Sequence, residues 1–285
     1  MARLLTIPAE EYHADKIADV PCLSASIATI LCNDSPLHAW TAHPKLNPNF
    51  VPEDTKATDI GRIVHALLLE GFSVAAILDY PDWRTKEART ARDAARQAGK
   101  IPLLSKDWTH VEAMVYAAHR QLGAHAEAKN AFTDGKPEVT MVWDEDGVAC
   151  KARIDWLHDD YRFIDDYKTA ASANPEQFTR NLFSYGYDIQ AAFYLRGLKA
   201  ITGKDATFRF IAQEKEPPYA LSVISLGPDV LMLAEKKILY AIDLWRKCLA
   251  SGEWPAYPTR VCWAELPTYE ETRWLKREEN SVIHI

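Results

Sequence analysis

Residues 137–170, PEVTMVWDEDGVACKARIDWLHDDYRFIDDYKTA, constrain the fold more than any other stretch of the chain. β-Branched and aromatic residues alternate there with polar ones, which is the period of strands with one buried face. Asp146-Gly147 and His158-Asp159-Asp160 interrupt the alternation, and both are turn formers. The segment therefore predicts three antiparallel strands joined by two hairpins.

The sequence on either side of this meander reads differently. Ahead of it, Ser24 or Ser26 can cap a short helix ending near Leu31. Asp59 precedes IGRIVHALLLEG, where apolar residues recur at helical spacing up to Gly71. Two more helices are expected over 85–98 and 105–122. Behind it come helices from Pro175 and over 187–200, strands over 207–213 and 219–225 flanking Glu216-Pro217-Pro218, and a long helix over 229–249. The expected class is α/β (α+β), a central mixed β-sheet flanked by helices. With no repeat or Gly/Ser linker, residues 1–250 read as one domain, helical over 1–130 with a sheet core over 131–250. Residues 251–285, rich in Pro and Trp, read as a tail packed on that domain.

Composition excludes several classes. The 285 residues are 48% hydrophobic and 26% charged, so the chain can bury a core and is not broadly disordered. No run approaches the ~20 apolar residues that span a bilayer, and MARLLTIPAEEY lacks the apolar stretch of a secretory signal. Five scattered cysteines without a CxxC pair argue against a zinc ribbon and for free thiols in a reducing cytoplasm. The net charge of -7 argues against coating nucleic acid by bulk charge but leaves room for a local basic groove.

Chemistry concentrates on the meander. Asp166 and Lys168 lie two apart in FIDDYKTA and share a face, whereas Asp165 points the other way. Asp155, in KARIDWL, can sit beside Asp166 across the hairpin. Two carboxylates and an ammonium at one sheet edge suit Mg²⁺, with Mn²⁺ able to substitute. Lysine can then orient or deprotonate a water and offset transition-state charge, as phosphodiester hydrolysis requires. The plainer alternative is a solvated cross-strand ion pair between Asp155 and Lys168. Two further patterns keep company with these residues: GxxxH at Gly61–His65 and QxxxY at Gln190–Tyr194, each on an expected helix.

In the order GxxxH, D, DxK, QxxxY, the chain resembles the PD-(D/E)XK nuclease superfamily, with its restriction-endonuclease-like core. More narrowly it is similar to the RecB/RecE branch and to exonuclease VIII-type (RecE-like) phage and prophage exonucleases. The likeness runs from about Leu23 to Leu249 through GRIVHALLLEG, CKARIDWL, FIDDYKTA, YDIQAAFYLRGL and IAQEKEPPYAL. Ile154 stands before Asp155 where the superfamily name has Pro, and Asp166 where others have Glu; both occur in this branch.

The resemblance implies metal ligands at His65, Asp155 and Asp166 with the Tyr167 carbonyl, a catalytic lysine at Lys168, and an accessory acid at Glu138. It implies that Gln190 and Tyr194 contact DNA near the scissile phosphate and support the site. It also implies 5′ to 3′ digestion of linear duplex ends for a single-strand annealing recombinase, in the cytoplasm of a bacterial host of a phage or prophage. Related exonucleases form DNA-threading rings, which makes a homo-oligomer an open expectation.

For DNA, Lys86, Arg89, Arg92, Arg96 and Lys100 form a basic stripe diluted by Glu87 and Asp93. Its ordinary alternative is a solvated helix face. Lys151 and Arg153 share the face of Asp155 by period two and can bind flanking phosphates. Trp254, Tyr257, Trp263, Tyr269 and Trp274 could stack on bases, although such sets more often pack a tail. Two alternatives to the exonuclease remain: a RecB-like single-strand or flap nuclease module, and a non-catalytic DNA-binding subunit.

Overall fold

The computed structural model describes residues 2–51 and 56–282. β1 (Arg3–Leu5), α1 (Ala9–His13), α2 (Ala25–Asn33), α3 (Pro36–Ala42) and α4 (Lys56–Leu69) open the chain. β2 (Ala75–Leu78), α5 (Lys86–Gln97), β3 (Ile101–Leu104) and α6 (Ser105–Gly123) follow. The meander is β4 (Gly135–Glu145), β5 (Val148–His158) and β6 (Phe163–Ala170). Then come α7 (Pro175–Leu182), α8 (Tyr187–Thr202), β7 (Thr207–Glu214), β8 (Leu221–Ile224), α9 (Pro228–Ser251) and α10 (Thr268–Val282).

Local chemistry accounts for many of these boundaries. The Ser24 hydroxyl accepts from the Ile27 N–H, Thr85 from Ala88, and Asn174 from Glu176 and Gln177, so α2, α5 and α7 begin on side-chain caps. Gly203 ends α8 and Gly252 ends α9, both in the left-handed region.

The main sheet is mixed, with strand order β1-β4-β5-β6-β7-β8. The meander pairs antiparallel, and β6 pairs parallel with β7 after the crossover through α7 and α8. Two cores cover it. One gathers Met141, Trp143, Ile154, Ile164 and Phe210 with α2, α8 and α9; the other gathers Trp156, Tyr167 and Ile211 with α4 and α6. At the first, Gly197 brings α8 against the Trp143 ring so closely that an added Cβ would lie 2.7 Å from it.

Three expectations change. The part over 1–130 is not all helical: β1 pairs with β4 at the edge of the main sheet, and β2 pairs parallel with β3 in a separate two-stranded sheet. These strands are three or four residues long, too short for an alternating pattern to register. The first compact unit runs Met1–Trp254 rather than stopping at 250, because Trp254 packs on Trp245 with ring centroids 5.2 Å apart. The second unit, Pro255–Ile285, contains a helix that the sequence did not suggest, α10. Among the described residues no helix is long and apolar enough to cross a membrane. No disulfide forms: Cys22, Cys150 and Cys248 are buried, Cys32 is half-buried and Cys262 is exposed.

Candidate active site

The site lies where β5 and β6 part. Their ladder ends at the pair Trp156–Asp165, although Asp155 and Asp166 are next in register. Instead, the Asp155 carboxylate fills the gap and accepts the Tyr167 N–H at 2.9 Å. On the other side of β5, the β4–β5 register passes from Pro137–Trp156 to Val139–Ile154 and leaves Glu138 and Asp155 between them unpaired; the φ of Glu138 is +55°. A non-glycine residue in that conformation costs about 1–3 kcal/mol. The alternation slips here too: Ile154 and Leu157 enter the core under α8 and α9, whereas Trp156 enters the other.

Helix α4 supplies the imidazole. Gly61 faces Thr169 of β6, where an added Cβ would sit 3.1 Å from the threonine hydroxyl. One turn on, His65 Nε2 lies 3.2 Å from Asp155 Oδ2 and Nδ1 lies 3.5 Å from Glu138 Oε1. The GxxxH spacing thus combines a close helix–strand approach with a side chain that reaches the carboxylates. His65, Glu138 and Asp155 form the candidate metal-ligating group among the described residues, with one ligand atom from each within 4.8 Å of the others.

Asp166 and Lys168 occupy the adjoining flank. Lys168 Nζ lies 2.6 Å from Asp166 Oδ2, and Gln190 of α8 donates to Asp166 Oδ1 at 2.7 Å. Asp166 is buried, and each of its two oxygens is held by one of these side chains. On the same flank, Lys168 Nζ lies 5.3 Å from the centre of the Tyr187 ring. Tyr187 escaped the sequence reading; its spacing of three and seven residues from Gln190 and Tyr194 on one helix face was the available signal.

The charges hold one another. Burial opposes protonation of His65, but Asp155, Glu138 and Asp166 outweigh it and push its pKa up to about 9. Burial would also raise Asp155, yet the His65 charge and hydrogen bond, with Lys168 and the Tyr167 N–H, hold it below the usual carboxylate range. Burial pushes Asp166 up to about 7 against the pull of Lys168. It raises Glu138 as well, while His65 and Arg153 offset part of the rise. Lys168 stays firmly charged, because Asp166 and Asp155 outweigh its desolvation.

A group whose folded pKa is raised contributes stability that is complete below its unfolded value and is lost as pH passes the folded value. For His65 that window runs from 6.5 to about 9. In EDTA, raising the pH from about 6 to about 9.5 should therefore cost the wild type about 3 kcal/mol more than His65→Gln, measured by urea denaturation. Equal losses in the two proteins would contradict the charge cluster.

Other residues singled out in the sequence are placed differently. Lys151 is buried, pairs with Asp15 at 2.8 Å and donates to the Tyr12 carbonyl, so its charge is spent inside the fold and unavailable to a phosphate. Arg153 is on the expected face, but it is bound to Glu138 and to the Ile7 carbonyl. Tyr194 is buried edge-on to Phe208, which leaves it in a supporting position rather than at a DNA surface. Lys86 and Arg89 are exposed on α5; Arg92 pairs with Asp93 and Arg96 with Asp59. Arg92 and Arg96 also line a cavity of about 160 Å³ with Trp83 and Leu104. Asp165 faces away from the site, as period two requires, onto Arg209 and His158.

The donors fit a divalent cation. One imidazole and two carboxylates converge, whereas Asp166 Oδ2 is already paired with the Lys168 ammonium.

No curated protein matches the chain. Among solved structures, a protein of Eubacterium rectale designated an exonuclease superposes with a TM-score of 0.64 at 16% identity, covering 94% of this chain and 98% of that one. A phage-related exonuclease of Haemophilus somnus matches at a TM-score of 0.30 and 12% identity, over 72% of this chain and 99% of its own. An alkaline exonuclease of Laribacter hongkongensis matches at 0.28 and 11% identity, over 70% and 96%. The first likeness shows the fold, and scores as low as the other two support no argument. Residues 34–264, well over half of the chain, match the PDDEXK-like domain of unknown function DUF3799, and the chain belongs to that family.

Proposed function

We propose that the chain is a Mg²⁺-dependent exodeoxyribonuclease that digests linear duplex DNA from its ends, 5′ to 3′, and exposes a single strand for an annealing recombinase. The observation that carries this reading is the meeting of His65, Glu138 and Asp155 with the Asp166–Lys168 pair at the parting of β5 and β6. Family membership and the exonuclease designation of the Eubacterium rectale protein support it.

His65, Glu138 and Asp155 would hold the ion, with Asp166 and the Tyr167 carbonyl beside them. Bound there, Mg²⁺ or Mn²⁺ supplies Lewis acidity toward a phosphoryl oxygen. Lys168, charged and fixed by Asp166, orients the attacking water and offsets the negative charge that develops on phosphorus. Gln190 holds the other oxygen of Asp166, so the lysine's anchor does not swing. Arg153 holds Glu138 against His65. With an acidic body overall, DNA contact is confined to a local groove, and binding falls as salt rises.

The test is Mg²⁺-dependent digestion of end-labelled linear duplexes with one end blocked at a time. Loss of label from free 5′ ends, abolished by EDTA, is the expected result. Rapid cutting of covalently closed circles would overturn the exonuclease reading. DNA binding without any Mg²⁺-dependent cleavage would favour a non-catalytic subunit.

A further inference from the structure

The turn between α7 and α8 presents an aromatic series that the proposed chemistry leaves unused. Phe178 stacks on Tyr187 with ring centroids 5.5 Å apart and planes at 25°. Tyr187 also contacts Phe210 at 5.3 Å, so its ring is anchored in the core. Tyr185 continues the series outward, 5.5 Å from Tyr187, and is 63% exposed. Gly186 makes this possible: its φ is +68°, and an added Cβ would lie 2.5 Å from Thr29. The turn is thereby seated on α2, and the tyrosines on either side of the glycine come into contact. The inner tyrosine also borders the Lys168 ammonium.

A large ring left in water at the end of an aromatic series, two residues from a side chain bordering the reactive lysine, has an obvious use. We infer that Tyr185, backed by Tyr187, is a stacking platform for the nucleobase next to the scissile phosphate. The inference rests on the nuclease reading for its substrate. Stacking needs only a π-face, so the platform grips any base and suits an enzyme that removes nucleotides without regard to sequence. It also gives the strand's end a fixed position relative to Lys168, which phosphodiester chemistry alone does not supply.

Two measurements test it, one of which does not depend on cleavage. In Ca²⁺ buffer, a duplex with 2-aminopurine at its 5′ end should lose fluorescence on binding the wild type and Tyr185→Phe, but not Tyr185→Ala. In Mg²⁺, Tyr185→Ala should raise KM for linear duplex about 10-fold with kcat within about 2-fold. An abasic 5′ terminus should cost the wild type a similar factor and the alanine variant almost nothing. Tyrosine-dependent quenching without Mg²⁺-dependent cleavage would retain the platform and remove the nuclease reading. Cleavage with unchanged KM in Tyr185→Ala, or the absence of quenching by the wild type, overturns the platform.

Discussion

Replacing Asp155 by Asn is expected to slow Mg²⁺-dependent digestion of linear duplex DNA by at least about 1,000-fold while leaving the fold intact. Three contacts depend on this one carboxylate. It accepts the Tyr167 N–H, lies 3.2 Å from His65 Nε2, and has an oxygen within 4.8 Å of a Glu138 oxygen. An asparagine keeps the volume, and its amide oxygen can still accept the backbone hydrogen bond, so the parting of β5 and β6 survives. The charge is what disappears, and with it the strongest reason for a cation to bind and for His65 to hold its proton. Titration calorimetry should show Mn²⁺ affinity falling in parallel with the rate. Lys168→Ala separates the two properties: the ammonium is not a ligand, so digestion should fall by about 100- to 1,000-fold with Mn²⁺ affinity largely retained. An Asp155→Asn protein that digests at the wild-type rate places the chemistry elsewhere.

What could be read from the sequence follows from how far each signal reaches along the chain. The meander was legible because alternation and turn formers are local, and β4, β5 and β6 end within a few residues of Asp146-Gly147 and His158-Asp159-Asp160. Asp165 and Asp166 separate onto opposite faces for the same reason. Lys151 was misplaced because period two gives a face but not what covers it. The cover here is the segment around Tyr12 and Asp15, brought in by tertiary folding. β1 has three residues, and only its pairing with β4 makes it a strand. The gathering of Glu138 with Asp155 and His65 depends on a backbone conformation that no nearby residue announces. α10 was lost to the Pro and Trp of the tail, although Glu270 and Arg273 pair along one helix face there.

The neighbouring aspartates of β6 should respond oppositely to the same substitution. Asp165 is fully buried and takes a two-pronged contact from Arg209, at 2.6 and 2.9 Å, and one from His158 at 2.7 Å. Arg209 is itself 4% exposed. An asparagine there leaves a buried guanidinium without its counter-charge, so Asp165→Asn should lose about 3–5 kcal/mol in urea denaturation at pH 8. Asp166 is equally buried, but burial pushes its pKa up to about 7. A carboxyl raised in the folded state stabilises below its unfolded pKa, and that stability is lost as pH rises through 7. At pH 8 the cost of its buried charge offsets part of what is lost when Lys168 loses its counter-charge, so Asp166→Asn should cost less than Asp165→Asn. Digestion should reverse the order. Asp166→Asn loosens Lys168 and should be nearly inactive, whereas Asp165→Asn, assayed at a temperature where it remains folded, should retain most of its rate. Matching losses for both variants in both assays would mean that the two faces of β6 do not divide stability from chemistry.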